Sequence, residues 1–279
     1  MAFIEGITIF CIGASYAVAL ALELLNLLWP RPVQRLVANG FGAAGLLAHT
    51  LLLARDLFLD QAPLSLASRS GSMLFLSWIL AVFYLYGSVH HRKFSWGVFI
   101  LPLVLGLVVL AGLFRPAGAA PSPRTPEEAW YPDWGLVHGT LLLLAAVGVC
   151  VGFVASMMYL VQAHRLKAKA LPGHGIKLLS LERLEEMNRR AIILAFPLLT
   201  AGLLVGIALM LDQPGRFAAG GQLRIVATVA LWLVFAILVY LRYGVRVRGR
   251  RVAIWTLVAF ALLLFTLVSA HPFGAEGLR

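Results

Sequence analysis

Three histidines inside apolar segments are the residues of this sequence best suited to chemistry. His138 lies one turn into the apolar run that begins at Trp134, His271 follows another run in "LVSAHPFG", and His49 lies within "GFGAAGLLAHTLLLARD". Neutral imidazole is a good ligand for iron and a standard axial ligand of haem. No Asp, Glu or Cys accompanies these histidines, as a zinc or hard-metal cluster would require.

The same histidines also have structural interpretations, which stay open at this point. An interfacial histidine can lie among lipid headgroups, and a buried one can hydrogen-bond a neighbouring helix. The other four histidines lie beside Arg and Lys and are predicted to be solvated surface residues: His90, His91, His164 and His174.

The two cysteines, Cys11 and Cys150, lie inside apolar runs and do not form a C-x-x-C motif. The chain therefore carries no dithiol pair of its own for redox work. Each cysteine is predicted to be a small buried hydrophobic residue.

The composition places these residues in a membrane protein. Of the 279 residues, 61% are hydrophobic and 13% are charged, whereas a soluble domain carries about 25% charged residues. Apolar stretches of membrane-spanning length recur along the chain, and the alternating ten-residue pattern of a barrel is not found. The first apolar run has neither a basic start nor a small-residue cleavage site, so we expect it to be retained. The predicted fold class is all-α, a polytopic bundle that forms a single transmembrane domain over residues 1–279.

Eight spans are predicted from the apolar runs, with boundaries at residues 4–28, 36–58, 72–89, 97–114, 136–163, 192–211, 223–240 and 252–270. The loops after the odd-numbered spans hold 16 of the 23 Lys and Arg residues, and the other loops and the termini hold 7. Cytoplasmic loops of membrane proteins are enriched in Lys and Arg. We therefore expect the odd loops in the cytoplasm and both termini outside. The net charge of +11 is accounted for by topology, so no nucleic-acid partner is expected.

Two loops are long enough to have further roles. The predicted cytoplasmic loop 164–191 has apolar residues at helical spacing, which predicts a short amphipathic helix on the membrane surface with Ser180 as its N-cap. The predicted external loop 115–135 ends in Trp130, Tyr131 and Trp134, where interface aromatic residues usually lie.

This topology puts the candidate histidines on one side of the membrane. His138 and His271 are predicted at the outer interface, and His49 lies about 21 Å of helix rise beyond Arg35, in the outer half of the bilayer. One concrete interpretation is a non-covalent, b-type haem held by two histidines, His138 and His271, near the outer surface.

Several stretches resemble one family. "WGLVHGTLLLLAAVGVCVGFVASMMYLVQ" is similar to the segment of the CcsA/HemX-like cytochrome c assembly proteins in which a Trp and a His open a helix rich in small residues. "SGSMLFLSWILAVFYLYGSVHHRKFSWGVFILPLVLGL" resembles the family's third and fourth helices, and "WLVFAILVYLRYGVRVRGRRVAIWTLVAFALLLFTLV" its last two. The resemblance covers nearly the whole chain.

This resemblance implies haem handling for attachment to c-type cytochromes on the outer face of the inner (cytoplasmic) membrane. It also implies that His138 matches the family's external haem-ligand histidine, with His271 as the second candidate. Two positions depart from the family. A tryptophan-rich external signature is replaced by "LDQPGRFAAGGQLR", whose only aromatic residue is Phe217, and Tyr240 in "YLRYG" stands near an expected inner histidine.

Three functions follow from these observations. The first is a haem-binding assembly factor, at most one component of a haem-attachment system. Arg224 and Arg216 would pair with propionates or reach the interface, Trp134 and Trp130 would shield haem or anchor a helix, and a thiol-reducing or apocytochrome-binding membrane protein would be the partner. The second is a HemX-type regulator or scaffold of tetrapyrrole synthesis without catalytic activity. The third is a transporter, but it predicts inverted repeats and mid-membrane charge, which are not found.

Two pairs of glycines in the apolar runs have packing roles. Gly148 and Gly152, like Gly202 and Gly206, are four residues apart. This spacing is typical of close contacts between membrane helices. We interpret both pairs as packing features that carry no chemistry.

Overall fold

A computed structural model of the chain describes residues 8–29, 31–58, 69–90, 94–114, 134–168, 178–212, 222–245, 247 and 249–269. Within these ranges the regular structure is entirely helical. Eight α-helices are present there: α1 (Ile9–Leu28), α2 (Pro32–Phe58), α3 (Arg69–His90), α4 (Gly97–Leu113), α5 (Trp134–Lys167), α6 (Leu181–Asp212), α7 (Gln222–Val239) and α8 (Arg250–Val268). A π-helical segment, Tyr240–Gly244, continues α7.

The helices confirm the predicted polytopic bundle. Among the residues that the structure describes, seven helices are long and apolar enough to cross a membrane, and Gly97–Leu113 is a shorter apolar helix. Each predicted span overlaps one of these eight helices. The protein is therefore an all-helical, multi-pass membrane protein.

The predicted surface helix is not a separate element. α6 begins at Leu181, directly after Ser180, and continues without interruption to Asp212. At the other end of the predicted loop, α5 extends to Lys167. No Pro or Gly stands between Arg190 and Ile192, so nothing breaks the helix where its composition changes from charged to apolar.

The chain divides into two compact units, residues 1–122 with 162–180 and residues 123–161 with 181–279. In the first unit α1 packs on α2 and α4, and α3 packs on α2 and α4. Its core includes Ile12, Tyr16, Tyr84 and Ile100, all fully buried. The prediction of one transmembrane domain stays a prediction.

Polar side chains lie at one end of the first unit. The Glu23 carboxylate on α1 is only 4% exposed and lies near the Arg35 guanidinium and the Tyr84 hydroxyl. The α4 helix begins at Gly97, where a Cβ would stand 2.7 Å from Glu23 Cγ. The missing side chain at Gly97 therefore makes room for the buried carboxylate.

In the second unit, polar contacts join α5, α6 and α8. The Asn188 amide of α6 is 6% exposed. Its two Nδ2 hydrogens are shared among three acceptors, the Gly152 carbonyl at 3.2 Å, Ser156 Oγ at 2.8 Å and Thr256 Oγ1 at 3.2 Å. Because a carbonyl only accepts, the NH₂ side of the amide must face Gly152. α7 packs on α6 and α8, and Trp232 Nε1 donates to Thr200 Oγ1 at 2.9 Å.

Candidate functional site

His138 lies in the second unit, four residues after the first residue of α5. Trp134, Leu136 and Val137 beside it are exposed, and the imidazole itself is half-buried. The exposed apolar residues face the surroundings of the bundle. His138 is turned toward a neighbouring helix.

That neighbour is α6. His138 Nδ1 lies 2.7 Å from the backbone carbonyl oxygen of Gly202. A carbonyl oxygen can only accept a hydrogen bond, so Nδ1 is the donor. A neutral ring that carries its proton on Nδ1 has its lone pair on Nε2, and this is the form in which imidazole binds a metal.

Close packing of α5 against α6 brings His138 to this carbonyl. A Cβ at Gly148 would lie 2.8 Å from Ala195 Cβ, one at Gly202 would lie 2.7 Å from Leu142 Cδ2, and one at Gly206 would lie 2.6 Å from His138 Cε1. The predicted packing role of the two glycine pairs is confirmed for these helices. Sequence reasoning missed that Gly206 contacts a candidate ligand, since the glycine spacing alone does not name the neighbour.

His49 lies in the first unit, on α2, and is fully buried. Its Nδ1 is 3.4 Å from the Tyr16 hydroxyl, and the two rings meet edge to face. Nε2 is buried without a hydrogen-bond partner of acceptable geometry, although the backbone of Leu74 lies nearby. His49 thus has a partner on its own unit. A ligand role for it stays a prediction.

The remaining predicted site residues are described only in part. Trp134 is 52% exposed at the start of α5, which is compatible with either of its predicted roles. Arg224 lies in the first turn of α7, and its side chain is outside the description. His271, Arg216 and Trp130 lie outside the described residues, so the proposed pairing of His138 with His271 stays a prediction.

Within the described residues, the other histidines and the cysteines add no second centre, and His91 and His174 lie outside those residues. His90 and His164 are exposed, as predicted for surface residues. Cys150 is buried as predicted, but the prediction for Cys11 was wrong: Cys11 is exposed, because it lies on an outward face of α1 beside exposed Phe10. In the part of the chain with assigned structure, no three His, Cys, Asp or Glu residues are grouped to hold a metal ion.

The opposite end of the second unit contains a small polar cleft. Tyr159, Glu185, Asn188, Arg242 and Gly249 contribute to its lining. Arg242 in the π-helical segment lies 3.9 Å from the Glu185 carboxylate and 3.5 Å from the Glu185 carbonyl oxygen. Tyr240, where the family resemblance implies a histidine, is 65% exposed.

The fold and the position of His138 define a class, a multi-pass helical membrane protein with a candidate metal ligand near the start of a long apolar helix. The family model described as cytochrome C assembly protein matches residues 66–271. The chain therefore belongs to the cytochrome c assembly family. The matched range includes His138 and His271 and leaves out His49.

Individual relatives agree with this family. The chain is 25% identical to the cytochrome c biogenesis protein CcsA of Gloeobacter violaceus, over 95% of this chain and 92% of that protein. It is 23% identical to CcsA of Mesostigma viride, over 96% and 94% of the two chains. It is also 27% identical to the protein HemX of Brevibacillus brevis, over 80% and 81%. No solved structure matches the chain.

Proposed function

We propose that this protein binds haem at the outer face of the cytoplasmic membrane and presents it for attachment to apocytochrome c. His138 would hold the haem iron, and its hydrogen bond to Gly202 is the observation that carries the proposal. A role in cytochrome c biogenesis follows from the family. We propose haem as the ligand because c-type cytochromes carry haem attached at a C-x-x-C-H motif.

The residues around His138 fit an iron ligand. Metal-binding histidines almost always donate their second ring N–H to a carbonyl, a carboxylate or water, and His138 donates Nδ1–H to Gly202. Haem, when bound, supplies the iron that accepts the imidazole nitrogen. The protein's part is to hold that ring, to orient it and to keep its proton on Nδ1.

The other residues of the proposed haem site are supported by fewer observations than His138. His271 is proposed as the second histidine that would hold the iron, because it follows the predicted span that exits on the same side. His49 is the alternative, but it is already packed against Tyr16. Arg224 is proposed to pair with a propionate, and Trp134 to shield one edge of the ring.

A partner protein is part of this proposal. Attachment of haem to cysteines needs reduced thiols on the apocytochrome, and this sequence has two cysteines and no C-x-x-C. We therefore propose a thiol-reducing or apocytochrome-binding membrane protein as the partner. The chain then acts as one component of a haem-attachment system.

A second function is favoured by a different observation. The first turns of α6 form a charged segment, Leu181–Arg190, in which Glu186 pairs with Arg189 at 2.6 Å and with Arg190 at 2.7 Å. Together with the similarity to HemX and the missing tryptophan-rich loop, this segment fits a scaffold that docks a soluble enzyme of tetrapyrrole synthesis.

An absorption spectrum of the purified protein distinguishes haem binding from the scaffold function. The protein is purified in mild detergent from cells supplied with haem, and its absorption is recorded. We expect a b-type Soret band that falls to a small fraction in His138→Ala, because the axial nitrogen is removed. His164→Ala is the matched control and keeps the band, since His164 is an exposed surface histidine. A colourless wild-type protein, or equal bands in both variants, would overturn the proposed role of His138.

The scaffold is tested on the charged segment. Replacing Arg183, Arg189 and Arg190 by Gln leaves the Soret band unchanged if haem is bound near His138. Loss of co-purification of a tetrapyrrole-synthesis enzyme in this variant, from a wild-type protein that carries no haem, would establish the second function and contradict the first.

A further inference from the structure

We propose that Gly202 and Gly206 of α6 are positioning residues for His138, which set its tautomer and its orientation so that Nε2 is the iron-binding nitrogen. The assignment of iron rests on the proposed function. The assignment of the tautomer rests on the geometry alone.

The first step concerns the proton. A neutral imidazole has one N–H and one lone pair, and they lie on different nitrogens. The 2.7 Å contact between Nδ1 and the Gly202 carbonyl oxygen is attractive only when Nδ1 carries the proton. The lone pair is then on Nε2. With the other tautomer, two lone pairs would face each other at hydrogen-bond distance.

The second step concerns the position of the ring. An ideal Cβ at Gly206 would lie 2.6 Å from Cε1, 3.0 Å from Nδ1 and 3.6 Å from Nε2 of His138. The edge of the ring that carries both nitrogens therefore faces position 206, and Cε1 is the atom that a side chain there would meet first. Any side chain at position 206 would displace the ring and stretch its hydrogen bond to Gly202.

The third step concerns why the two glycines act together. Residues four apart lie on the same face of an α-helix. Within the helix the carbonyl of residue 202 accepts from the N–H of residue 206, and a carbonyl oxygen has a second lone pair for another donor. Without a Cβ at position 206, the imidazole can approach that second lone pair. The histidine thus extends the hydrogen bonding of α6.

Ordinary helix packing does not explain why Gly206 faces an imidazole. The other close glycines on this interface face aliphatic groups: Gly148 faces Ala195, and Gly202 faces Leu142. Gly148→Ala would introduce a contact of 2.8 Å, nearly as short as the 2.6 Å contact of Gly206→Ala. Gly148→Ala disturbs the same pair of helices at least as much, because Ala195 Cβ can move only with its backbone, but only Gly206→Ala displaces the histidine.

This difference gives the experiment. Wild type, Gly206→Ala, Gly148→Ala and His138→Ala are purified in detergent, and their haem affinity, absorption spectra and thermal unfolding are compared. We expect haem affinity to fall about 10- to 100-fold in Gly206→Ala, the usual effect of losing a hydrogen-bond partner behind a metal ligand. The spectrum should also change toward a weaker axial ligand. Gly148→Ala should lower the Tm at least as much as Gly206→Ala, with an unchanged spectrum.

A second measurement tests the tautomer without haem. In ¹⁵N-histidine-labelled protein, long-range ¹H–¹⁵N spectra distinguish Nδ1–H from Nε2–H, and the signal missing in His138→Ala assigns His138. We expect Nδ1–H in wild type and Gly148→Ala, and a mixture in Gly206→Ala. An Nε2–H ring in wild type, or identical spectra in the two glycine variants, would overturn the inference. Haem-free wild type with the Nδ1–H ring would overturn only the proposed function.

Discussion

Two polar side chains of the second unit are hydrogen-bonded by groups on other helices. His138 donates to a carbonyl of α6, and the two N–H groups of Asn188 are shared among three acceptors on α5 and α8. Asn188 is buried and His138 is half-buried, and polar groups removed from water need hydrogen-bond partners inside the protein. Both contacts use the backbone carbonyl of a glycine.

At the residue scale, Asn188 provides a test of this principle. Replacing Asn188 by Leu removes interhelical hydrogen bonds that average about 0.6 kcal/mol each, so we expect a loss of about 1–2 kcal/mol. Asn188→Asp should be more destabilising by about 1–3 kcal/mol, since a carboxylate facing the Gly152 carbonyl leaves buried acceptors without donors. Thermal unfolding in detergent measures the order of the two variants.

The haem spectrum is the internal control for that pair, and it should be unchanged in whichever variant still folds. If Asn188→Asp were as stable as Asn188→Leu, the orientation of the amide toward Gly152 would be wrong. Neither the central role of Asn188 nor its hydrogen-bond partners were predicted from the sequence. Because the start of α6 is charged, the sequence predicted a surface helix there.

At the element scale, two glycines of α2 show how position on a helix decides the role of a residue. A Cβ at Gly42 would lie 2.7 Å from Tyr84 Cε1, whereas a Cβ at Gly40 would meet nothing within 4 Å. Tyr84 is fully buried on α3. Gly42 therefore permits contact between α2 and α3, and Gly40 has no such role.

Substituting each glycine by alanine should change stability in opposite directions. Gly40→Ala is expected to stabilise by about 0.5–1 kcal/mol, because alanine restricts the unfolded chain and favours helix. Gly42→Ala is expected to destabilise by about 1–3 kcal/mol, because it overpacks a buried ring. Thermal unfolding of the two variants in one detergent makes the comparison. A stabilising Gly42→Ala would show that α2 and α3 are farther apart than described.

The length of α6 is a second feature at the scale of the helices. Its 32 residues span about 48 Å, which is longer than the roughly 30 Å hydrocarbon core. The charged turns Leu181–Arg190 therefore extend beyond the apolar part of the helix. Hydropathy separates the two parts, but it does not show that one continuous helix carries both.

At the scale of the whole molecule, the distribution of basic residues predicts sidedness. Sixteen Lys and Arg in the odd loops against seven elsewhere predict that the outer ends of α5 and α8 lie on the extracytoplasmic side. The proposed function depends on this orientation, because apocytochrome c is proposed to receive haem there.

Cysteine labelling tests the orientation. In a background with Cys11→Ser and Cys150→Ser, Ser269→Cys after α8 should react with an impermeant maleimide in intact spheroplasts. Ala168→Cys after α5 should react only once the membrane is broken. The reverse pattern would contradict the predicted topology and would move His138 to the cytoplasmic side, while equal labelling of both before lysis would show that the spheroplasts leak.

The sequence by itself determined the class of the protein, the approximate positions of its eight helices and the prominence of His138. These properties are recorded locally, in runs of apolar residues and in the charges that flank them. Only the tertiary structure decided which carbonyl the imidazole meets, which glycine faces it and which helices Asn188 joins. Such contacts join residues far apart in the chain, 64 positions for His138 and Gly202 and 68 for Asn188 and Thr256. They depend on the rotation and register of packed helices, and hydropathy leaves both open because lipid and protein interiors are similarly apolar.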